Sequence, residues 1–567
     1  MLSLLVGLCV GFVAVLLKEG IHLIQGLLTP LIQKSSLWMI ALPAIGMLHS
    51  YLIVRFIVKD NISHGVTKVL KSISKNESRI KPHNMWSSLV TSVLTIGFGG
   101  SVGAEAPIVY TGAAIGSNFG RLGRLSYRNM TILVGCGAAG AVAGIFKAPL
   151  AGLLFTMEIL LFNISLASMM PLLVSTVSAT VVSYLFTGMD TAFHCTLEPF
   201  VLKNIPFYLV LGVACGFLSL YFTHTTLKLE DHFAKMRSPM FKWLICSLGV
   251  GVLVFLFPPL YGEGYGNITA LLNGIGGEMK GSPLNFLMNS KWGIVVAFAA
   301  VMFFKVLSMT LTNAGGGVGG TFGPTLFVGA IAGFVIARVL NNVLGEAFWL
   351  LPEQNFVLVG MAALMAGVMQ APMTSIFLIA EMTGGYDLFL PLIAACTVSF
   401  CVTRIWERYS IYTKRLAQTG ELLTHDSDQA VLTLLNTADL VRDKYPRISL
   451  DATLKDIMPE VSESTAAVFP VVGSDGVFQG LVEMDDIRKK MFDTANYSNI
   501  HVYNLMKQPA AYVTIDEKAA SVLDKFEKTG AWRLPVIDEQ HHYLGFISKS
   551  RILSAYRESL KSISLGD

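Results

Sequence analysis

The sequence predicts an all-α polytopic membrane protein with duplicated, inverted halves and broken or re-entrant helices, followed by a small α/β domain. Three observations lead to this fold class. Of the 567 residues, 53% are hydrophobic and only 14% are charged, which argues against a soluble or disordered chain. Two pairs of similar segments recur within residues 1–410 at nearly constant spacing. From about residue 411 the chain becomes rich in charged residues and has no segment apolar enough to span a bilayer.

Long apolar runs predict the spanning helices, since about 20 mostly apolar residues cross a bilayer. The candidate segments are 1–17, 38–57, 88–100, 131–163, 167–187, 207–225, 241–258, 292–311, 324–340, 355–380 and 386–403. Gly and Pro interrupt the stretches 97–116 and 313–333. Because irregular backbone cannot face lipid, we expect these breaks to lie inside the protein or to line a water-filled path.

Charge and cysteine content narrow the function classes. The net charge of +4 is too small for a nucleic-acid surface, and an odd count of seven Cys predicts no disulfide framework. The membrane half has no H-E-x-x-H motif and no phosphate-binding loop, so we expect neither an enzyme nor a metal site. Basic residues cluster in 55–81, 121–128 and 404–415, which predicts that these stretches and the C-terminus are cytoplasmic. Compact loops and the lack of a targeting signal predict a prokaryotic inner membrane.

The membrane half contains two internal repeats. GGSVGAEAPIVYTGAAIG (99–116) resembles GGGVGGTFGPTLFVGAIAG (315–333) at a spacing of 217 residues. GAAGAVAGIFKAPLAGLLFTMEI (137–159) resembles GMAALMAGVMQAPMTSIFLIAEM (360–382) at a spacing of 223. Two matches in the same order indicate duplicated halves, a pattern typical of transporters.

The repeated Gly-x-x-x-Pro pattern predicts helices that begin inside the membrane. The free N–H groups and the positive dipole end of such a helix attract anions. Two helix starts that face each other therefore predict an anion site that contains no buried positive side chain. The alternative is that these glycines serve only close helix packing.

Three glutamates lie in or beside these segments. Glu105 is an intramembrane carboxylate next to a predicted helix start, which makes it a candidate functional group. Burial favours its neutral form and the helix dipole favours the anion, so it suits a group that moves in and out of an anion path. The alternative is a static, paired glutamate. Glu158 and Glu381 occupy matched positions at the ends of apolar runs, which favours a structural helix-end role over direct transport.

The charged C-terminal part repeats at a spacing of 65 residues, as in FPVV (469–472) and LPVI (534–537). Each unit is predicted to run strand, helix, strand, strand, helix. The predicted domains are a membrane domain at 1–417, a linker at 418–432, a first unit at 433–495 and a second unit at 496–567.

These motifs resemble those of the CLC family of chloride channels and transporters, followed by a pair of CBS domains. The gating motif of the family, G-(K/R)-E-G-P, is similar to GAEAP at 103–107, and its G-x-F-x-P motif is present at 320–324. The resemblance implies that Glu105 is the gate. It also implies that Tyr412 donates its hydroxyl to a central anion, together with the backbone of Thr321 and Phe322. The residues assigned to anion binding are His64, Gly103, Ala106, Gly320, Thr321, Phe322, Gly323 and Tyr412.

Two departures from the family pattern bear on mechanism. His64 stands where the family has an anion-coordinating Ser, which puts anion selectivity in question. Its ring can donate to an anion or, alternatively, cap a helix. Ile159 stands where proton-coupled members carry a second Glu, and an Ile cannot relay a proton. This favours a passive gated chloride channel over a proton-coupled antiporter, which stays the alternative.

The CBS pair implies regulation, and in this family it often binds an adenine nucleotide. The first unit keeps Asp486 of the nucleotide signature but has Glu483 at the hydroxyl position. The second keeps Ser548 but has Arg551 in place of the Asp. Since neither copy is complete, packing and dimer contacts are the preferred role, and no cofactor is expected to be required. The resemblance also implies a homodimer in a lipid bilayer. A membrane-anchored nucleotide sensor is the remote alternative.

Overall fold

The structure is a computed structural model. It describes residues 1–567 except 161–165, 192, 194–196, 275–278, 280, 345–349, 419–434, 493, 495–496 and 565–567. Residues 419–432 of the predicted linker therefore lie outside the described residues. The chain forms two compact units, Met1–Leu422 and Leu423–Asp567.

The first unit is helical. Its helices are α1 (Leu2–Lys34), α2 (Trp38–Leu52), α3 (Gly65–Lys75), α4 (Ser87–Gly97), α5 (Glu105–Leu122), α6 (Tyr127–Phe146), α7 (Pro149–Ile159), α8 (Leu166–Thr187), α9 (Ile205–Ala234), α10 (Pro239–Leu256), α11 (Tyr265–Leu272), α12 (Lys291–Ala314), α13 (Phe322–Leu344), α14 (Glu353–Met369), α15 (Pro372–Thr383), α16 (Phe389–Trp406) and α17 (Ile411–Gln418). Among the described residues, nine helical segments are long and apolar enough to cross a membrane.

Several of the predicted spans differ from the structure in their bounds. The helix predicted at 207–225 runs from Ile205 to Ala234, and the predicted span 355–380 contains two helices, α14 and α15. The first helix continues to Lys34, well beyond the predicted end at residue 17. The predicted span 131–163 contains two helices, because the chain breaks after Phe146. Lys147 has a φ of 57°, and Pro149 then begins α7. The matched residue Gln370 has a φ of 53° before Pro372 begins α15, so both repeats break their helix at the same place.

The duplicated halves run in opposite directions where they meet. Gly103 and Gly320 form an antiparallel bridge in which each N–H donates to the other's carbonyl, at 3.0 and 2.7 Å. Ser101 N–H donates to Thr312 Oγ1, and the matched Val318 N–H donates to Thr95 Oγ1. Such reciprocal bonds relate the halves by a local pseudo-two-fold axis, and α5 and α13 begin on either side of it.

Glycines let the helices of each repeat approach closely. A Cβ on Gly112 of α5 would lie 2.2 Å from the Gly137 carbonyl oxygen of α6. A Cβ on the matched Gly329 of α13 would lie 2.4 Å from the Gly360 oxygen of α14. Close packing therefore explains these glycines, whereas those before α5 and α13 belong to the helix starts.

The second unit is α/β. It contains α18 (Thr437–Leu440), α19 (Leu454–Glu463), β1 (Val468–Val472), β2 (Phe478–Glu483), α20 (Met484–Arg488), α21 (Val502–Leu505), β3 (Val513–Thr514), α22 (Ala519–Thr529), β4 (Arg533–Ile537), β5 (Tyr543–Ser548) and α23 (Lys549–Ser564). β1 pairs antiparallel with β2, while β4 pairs parallel with β3 and antiparallel with β5. The predicted first strand of the first repeat is reduced to one bridge at Ile448.

The two repeats of this unit exchange their leading segments. Arg442, near the start of the first repeat, pairs with Phe546 in β5 of the second. Lys507, which matches Arg442, pairs with Leu481 in β2 of the first. Each repeat thus completes the sheet edge of the other, which is why neither is expected to be stable alone.

Candidate functional site

Glu105 is the first residue of α5, and its side chain lies between the starts of α5 and α13. It is 1% exposed. Its Oε2 accepts the Gly323 N–H at 3.1 Å, and its Oε1 accepts a hydrogen bond from the Tyr265 hydroxyl. Gly103 leaves room for this carboxylate, since a Cβ there would lie 2.2 Å from Oε2. A carboxylate therefore occupies the place where the helix start predicts an anion.

A small cavity lies next to Glu105. Five predicted anion-site residues line it, namely His64, Ala106, Gly320, Thr321 and Tyr412. We call it the inner cavity. Its volume is about 20 Å³, enough for about one water-sized body, since roughly 10–15 Å³ is the minimum for a water. Tyr412 accepts a hydrogen bond from Thr321 Oγ1 at 3.3 Å, so its own O–H is available to donate into the cavity.

His64 occupies the N-cap position of α3, but its ring lines the inner cavity rather than capping that helix. It precedes α3 with a φ of 57° and makes no side-chain capping bond to that helix. Its ring lines the inner cavity, and its Nε2 lies 3.8 Å from Oε1 of Glu230 in α9. Thr67 and Thr226 add hydroxyls to the cavity wall. Imidazole, hydroxyl and carboxylate groups thus face the same small space.

Comparison with known proteins agrees with this arrangement. The family model described as voltage gated chloride channel matches residues 45–404, and the CBS domain model matches 438–493 and 502–558. The chain belongs to the CLC family. The "Putative chloride channel protein ClcB-like" of Ralstonia nicotianae is 29% identical over 385 residues, which cover 67% of this chain and 85% of that protein.

Solved CLC structures share the fold. The crystal structure of a slow cyanobacterial Cl⁻/H⁺ antiporter superposes with a TM-score of 0.62 and 23% identity, over 74% of this chain and 97% of that one. The crystal structure of a eukaryotic CLC transporter covers 97% of both chains, with a TM-score of 0.61 and 16% identity. This protein is thus a multi-pass integral membrane protein of the CLC family, followed by two CBS domains, and it carries out CLC-type chloride transport.

Besides Glu105, four of the residues predicted for the anion site and the proton path do not line the inner cavity as far as the described residues define it, namely Gly103, Gly323, Phe322 and Ile159. Gly103 and Gly323 lie against the Glu105 carboxylate instead. Phe322 begins α13, but its ring stacks on Phe146 with the centroids 5.4 Å apart. Ile159 ends α7 and is 3% exposed in the apolar core. Phe322 packs directly behind the helix start, whereas Ile159 lines no part of the cavity that the structure describes.

The sequence reasoning missed three residues around Glu105. Tyr265 donates to the Glu105 carboxylate, and Glu263 Oε1 accepts the Ala104 N–H at 2.9 Å. Lys305 of α12 is fully buried, and its Nζ donates to Ser101 Oγ at 2.9 Å and to the Gly262 carbonyl at 2.8 Å. A signal was present, because Lys305 interrupts the apolar run 292–311, and a charge there is a functional candidate.

Glu158 and Glu381 have the structural role that their positions predict, but each acts on the other repeat. Glu158 accepts the N–H groups of Met373 and Thr374, at 3.0 and 2.7 Å, at the start of α15. Glu381 accepts those of Leu150 and Ala151, at 3.0 and 2.8 Å, at the start of α7. Each carboxylate thus caps the broken helix of the opposite repeat.

The two residues of the predicted nucleotide signature lie in different surroundings. Asp486 Oδ2 lies 2.5 Å from Lys507 Nζ, and this hydrogen-bonded ammonium lowers the pKa of the carboxyl below its usual value. Ser548 lines a cavity of about 270 Å³ whose wall also contains Arg442 and Arg551. Ser548 Oγ accepts the Arg551 N–H at 3.3 Å.

Proposed function

We propose that the protein is a passive chloride channel whose gate is Glu105. The observation that carries this proposal is the position of the Glu105 carboxylate, which accepts the N–H that begins α13 and lies beside the inner cavity. An ionised carboxylate and a chloride ion compete for the same helix start, because both are anions that its N–H groups and dipole attract.

The gate opens when Glu105 takes up a proton. A neutral carboxyl loses the charge-assisted part of its bond to Gly323 and the attraction of the helix dipole. The side chain can then leave, and chloride occupies its place. Ions reach this position through the inner cavity, where the Tyr412 hydroxyl, which accepts from Thr321 and is free to donate, replaces part of the hydration shell.

Ile159 supports passive conduction, since a buried isoleucine at this helix end carries no proton. A proton-coupled chloride antiporter is the second candidate. The observation that favours it is the His64–Glu230 contact of 3.8 Å in the wall of the inner cavity, because both side chains can exchange protons. A chloride gradient then drives protons in the opposite direction on the same fold.

The membrane setting follows from the family and the charge pattern. We propose a homodimer with one path per subunit, in a prokaryotic inner membrane. The basic stretches and the C-terminal CBS pair lie on the cytoplasmic side. An adenine nucleotide at the CBS pair is a weaker proposal, because neither copy of the signature is complete. Thermal unfolding with and without ATP tests it, since a bound ligand raises the unfolding temperature as its concentration rises.

The deciding experiment records chloride and protons together. The purified protein is reconstituted in liposomes, a chloride gradient is imposed, and chloride efflux and internal pH are followed at the same time. A passive channel releases chloride without moving protons. Proton uptake against its gradient supports the antiporter instead, and the absence of chloride flux contradicts both.

A further inference from the structure

A second, larger cavity lies on the other side of Glu105 from the inner cavity. Its volume is about 660 Å³, and its wall includes Lys18, His22, Ala104, Glu263 and Tyr265. We call it the outer cavity. Ala104 lines the outer cavity and Ala106 lines the inner one, so the buried Glu105 separates the two spaces.

Glu263 links the outer cavity to the gate. Its Oε1 accepts the N–H of Ala104, the residue directly before α5, at 2.9 Å. Glu105 accepts the Gly323 N–H at the start of α13. Carboxylates therefore hold both facing helix starts, and one of them borders a space large enough for many water molecules.

Glu105, Glu263 and Lys305 form a buried trio whose net charge is −1 when all three groups are ionised. Lys305 interacts electrostatically with both Glu105 and Glu263, and its Nζ lies 4.9 Å from the centroid of the Phe327 ring. One ammonium faces two carboxylates, and neighbouring buried carboxylates resist being ionised together. A single proton shared between the carboxylates makes this trio neutral. The other titratable or charged groups that interact with Glu263 or share its cavity wall are Tyr265, Tyr261, Lys18 and His22.

We propose that Glu263 is the group that supplies the proton to the gate. This proposal rests on the proposed role of Glu105. The O–H bond of the Glu263 carboxyl breaks, and the proton forms an O–H bond on the Glu105 carboxylate. Glu263 is left ionised, held by the Ala104 N–H and by the charge of Lys305, so the total charge of the trio does not change. Water in the outer cavity then returns a proton to Glu263.

This route explains how a gate that is 1% exposed exchanges protons. Tyr265 contributes by position, since its hydroxyl donates to Glu105 and its side chain lines the outer cavity. The handover step itself keeps the charge of the buried trio constant. The net uptake of one proton, which makes opening depend on pH, occurs when water reprotonates Glu263 at the wall of the outer cavity. Direct protonation of Glu105 would instead add that charge in the buried interior, where the dielectric is low.

The test compares variants in the full-length protein reconstituted in liposomes, with the same pH on both sides. Chloride efflux of the wild type should rise by up to about tenfold per pH unit on acidification, as expected for one proton. Glu263→Gln keeps an oxygen for the Ala104 N–H but cannot exchange a proton, and it leaves Glu105 alone with Lys305. We expect its efflux to fall by about tenfold at equal pH, with opening moved to lower pH.

A double variant separates a proton donor from a merely structural residue. In a Glu105→Gln background, Glu263→Gln should cause no further change in efflux. His22→Gln, which alters another titratable group of the outer cavity, is the matched control and should leave the pH profile as in the wild type. Glu263→Asp keeps a carboxyl and should reduce efflux while retaining the pH dependence.

Three outcomes overturn the proposal. They are a wild-type pH profile in Glu263→Gln, an equal loss of efflux with and without Glu105, and a profile flattened by His22→Gln. Should Glu263→Gln fail to fold, Glu263→Asp decides, because loss of the pH dependence in a variant that keeps a carboxyl contradicts the proposal. A wild type without chloride flux, or with a pH profile that Glu105→Gln does not change, defeats the proposed function itself.

Discussion

The molecule places carboxylates at broken-helix starts in two regions that differ in symmetry. In the first region, Glu158 and Glu381 cap each other's repeat, with matched donors and nearly equal distances. In the second, the residue that matches Glu105 in the other repeat is Phe322, which stacks on Phe146 in the core. Only the first repeat therefore contributes an acid there, and the second contributes the N–H that donates to it.

This difference shows that a duplicated fold can use matched residues to stabilise the contact between its repeats and an unmatched residue to build a functional site. Glu158 and Glu381 each accept two backbone N–H groups of the other repeat, and both would lose these hydrogen bonds if they moved. This pair therefore stabilises the contact between the repeats. An acid present in one repeat only leaves its helix start open to another anion when the acid departs. The pseudo-symmetry brings two helix starts together, and the break in that symmetry places a single carboxylate between them, which is the arrangement that the proposed gate requires.

The largest expected effect comes from removing the charge of the unsymmetrical acid. Glu105→Gln mimics the protonated gate, so chloride efflux from liposomes should be high at every pH. At two pH units above the opening range, this means about a hundredfold above the wild type. Glu381→Gln is the matched control and should keep the wild-type pH profile. A pH-dependent flux in Glu105→Gln would remove this residue from the gate.

The reciprocal pair should show its effect in stability. Glu158→Ala and Glu381→Ala each leave two N–H groups at a helix start without their carboxylate. We expect each to lower the free energy of unfolding by about 2 kcal/mol, the scale of a hydrogen bond to a charged group. Thermal unfolding in detergent measures this, and similar losses in both variants are required. A strong loss in only one of them contradicts the reciprocal role.

A smaller effect is expected from crowding the gate. In Gly103→Ala the new methyl group would lie 2.2 Å from Glu105 Oε2 and 2.9 Å from the Gly323 nitrogen. The carboxylate should be pushed off its helix start, and efflux at neutral pH should rise by about threefold to tenfold, since the displaced bond is worth about 1 kcal/mol net. Gly26→Ala in α1 is the control, because nothing lies within 4 Å of its Cβ. Unchanged efflux in Gly103→Ala argues against displacement.

The smallest effect lies in the CBS pair. The Lys507 ammonium lowers the pKa of Asp486, so this pair stabilises the fold above the ordinary Asp range and loses its effect as the pH falls through the lowered pKa. Protection of the β2 amides, which is the exchange rate relative to its intrinsic value at each pH, should therefore fall on acidification in the wild type. Asp486→Asn should weaken this loss of protection without changing chloride flux. An identical acid response in both proteins contradicts the assignment.

The sequence predicted those features of the fold that depend on the hydrophobicity and the Gly and Pro content of a single segment. Apolar length and the Gly-x-x-x-Pro repeats predicted a multi-pass helical fold with duplicated halves, which is confirmed. Helix bounds were less accurate, since the break at Lys147 depends on a left-handed residue before Pro149 rather than on hydrophobicity. The repeated α/β unit was also predicted, although the first strand of its first copy shrinks to a single bridge at Ile448.

Composition and the internal repeats determined by themselves a multi-pass membrane protein with duplicated halves and a repeated, charged C-terminal part. The resemblance of its motifs then indicated the CLC family, a CBS pair and Glu105 as the acid to follow. Only the tertiary structure decided which groups surround that acid. Tyr265, Glu263 and Lys305 lie more than 150 residues away in sequence, and they meet Glu105 because two inverted repeats pack helix start against helix start. Hydropathy records how apolar a segment is, whereas the partner of a buried charge depends on which segments pack together.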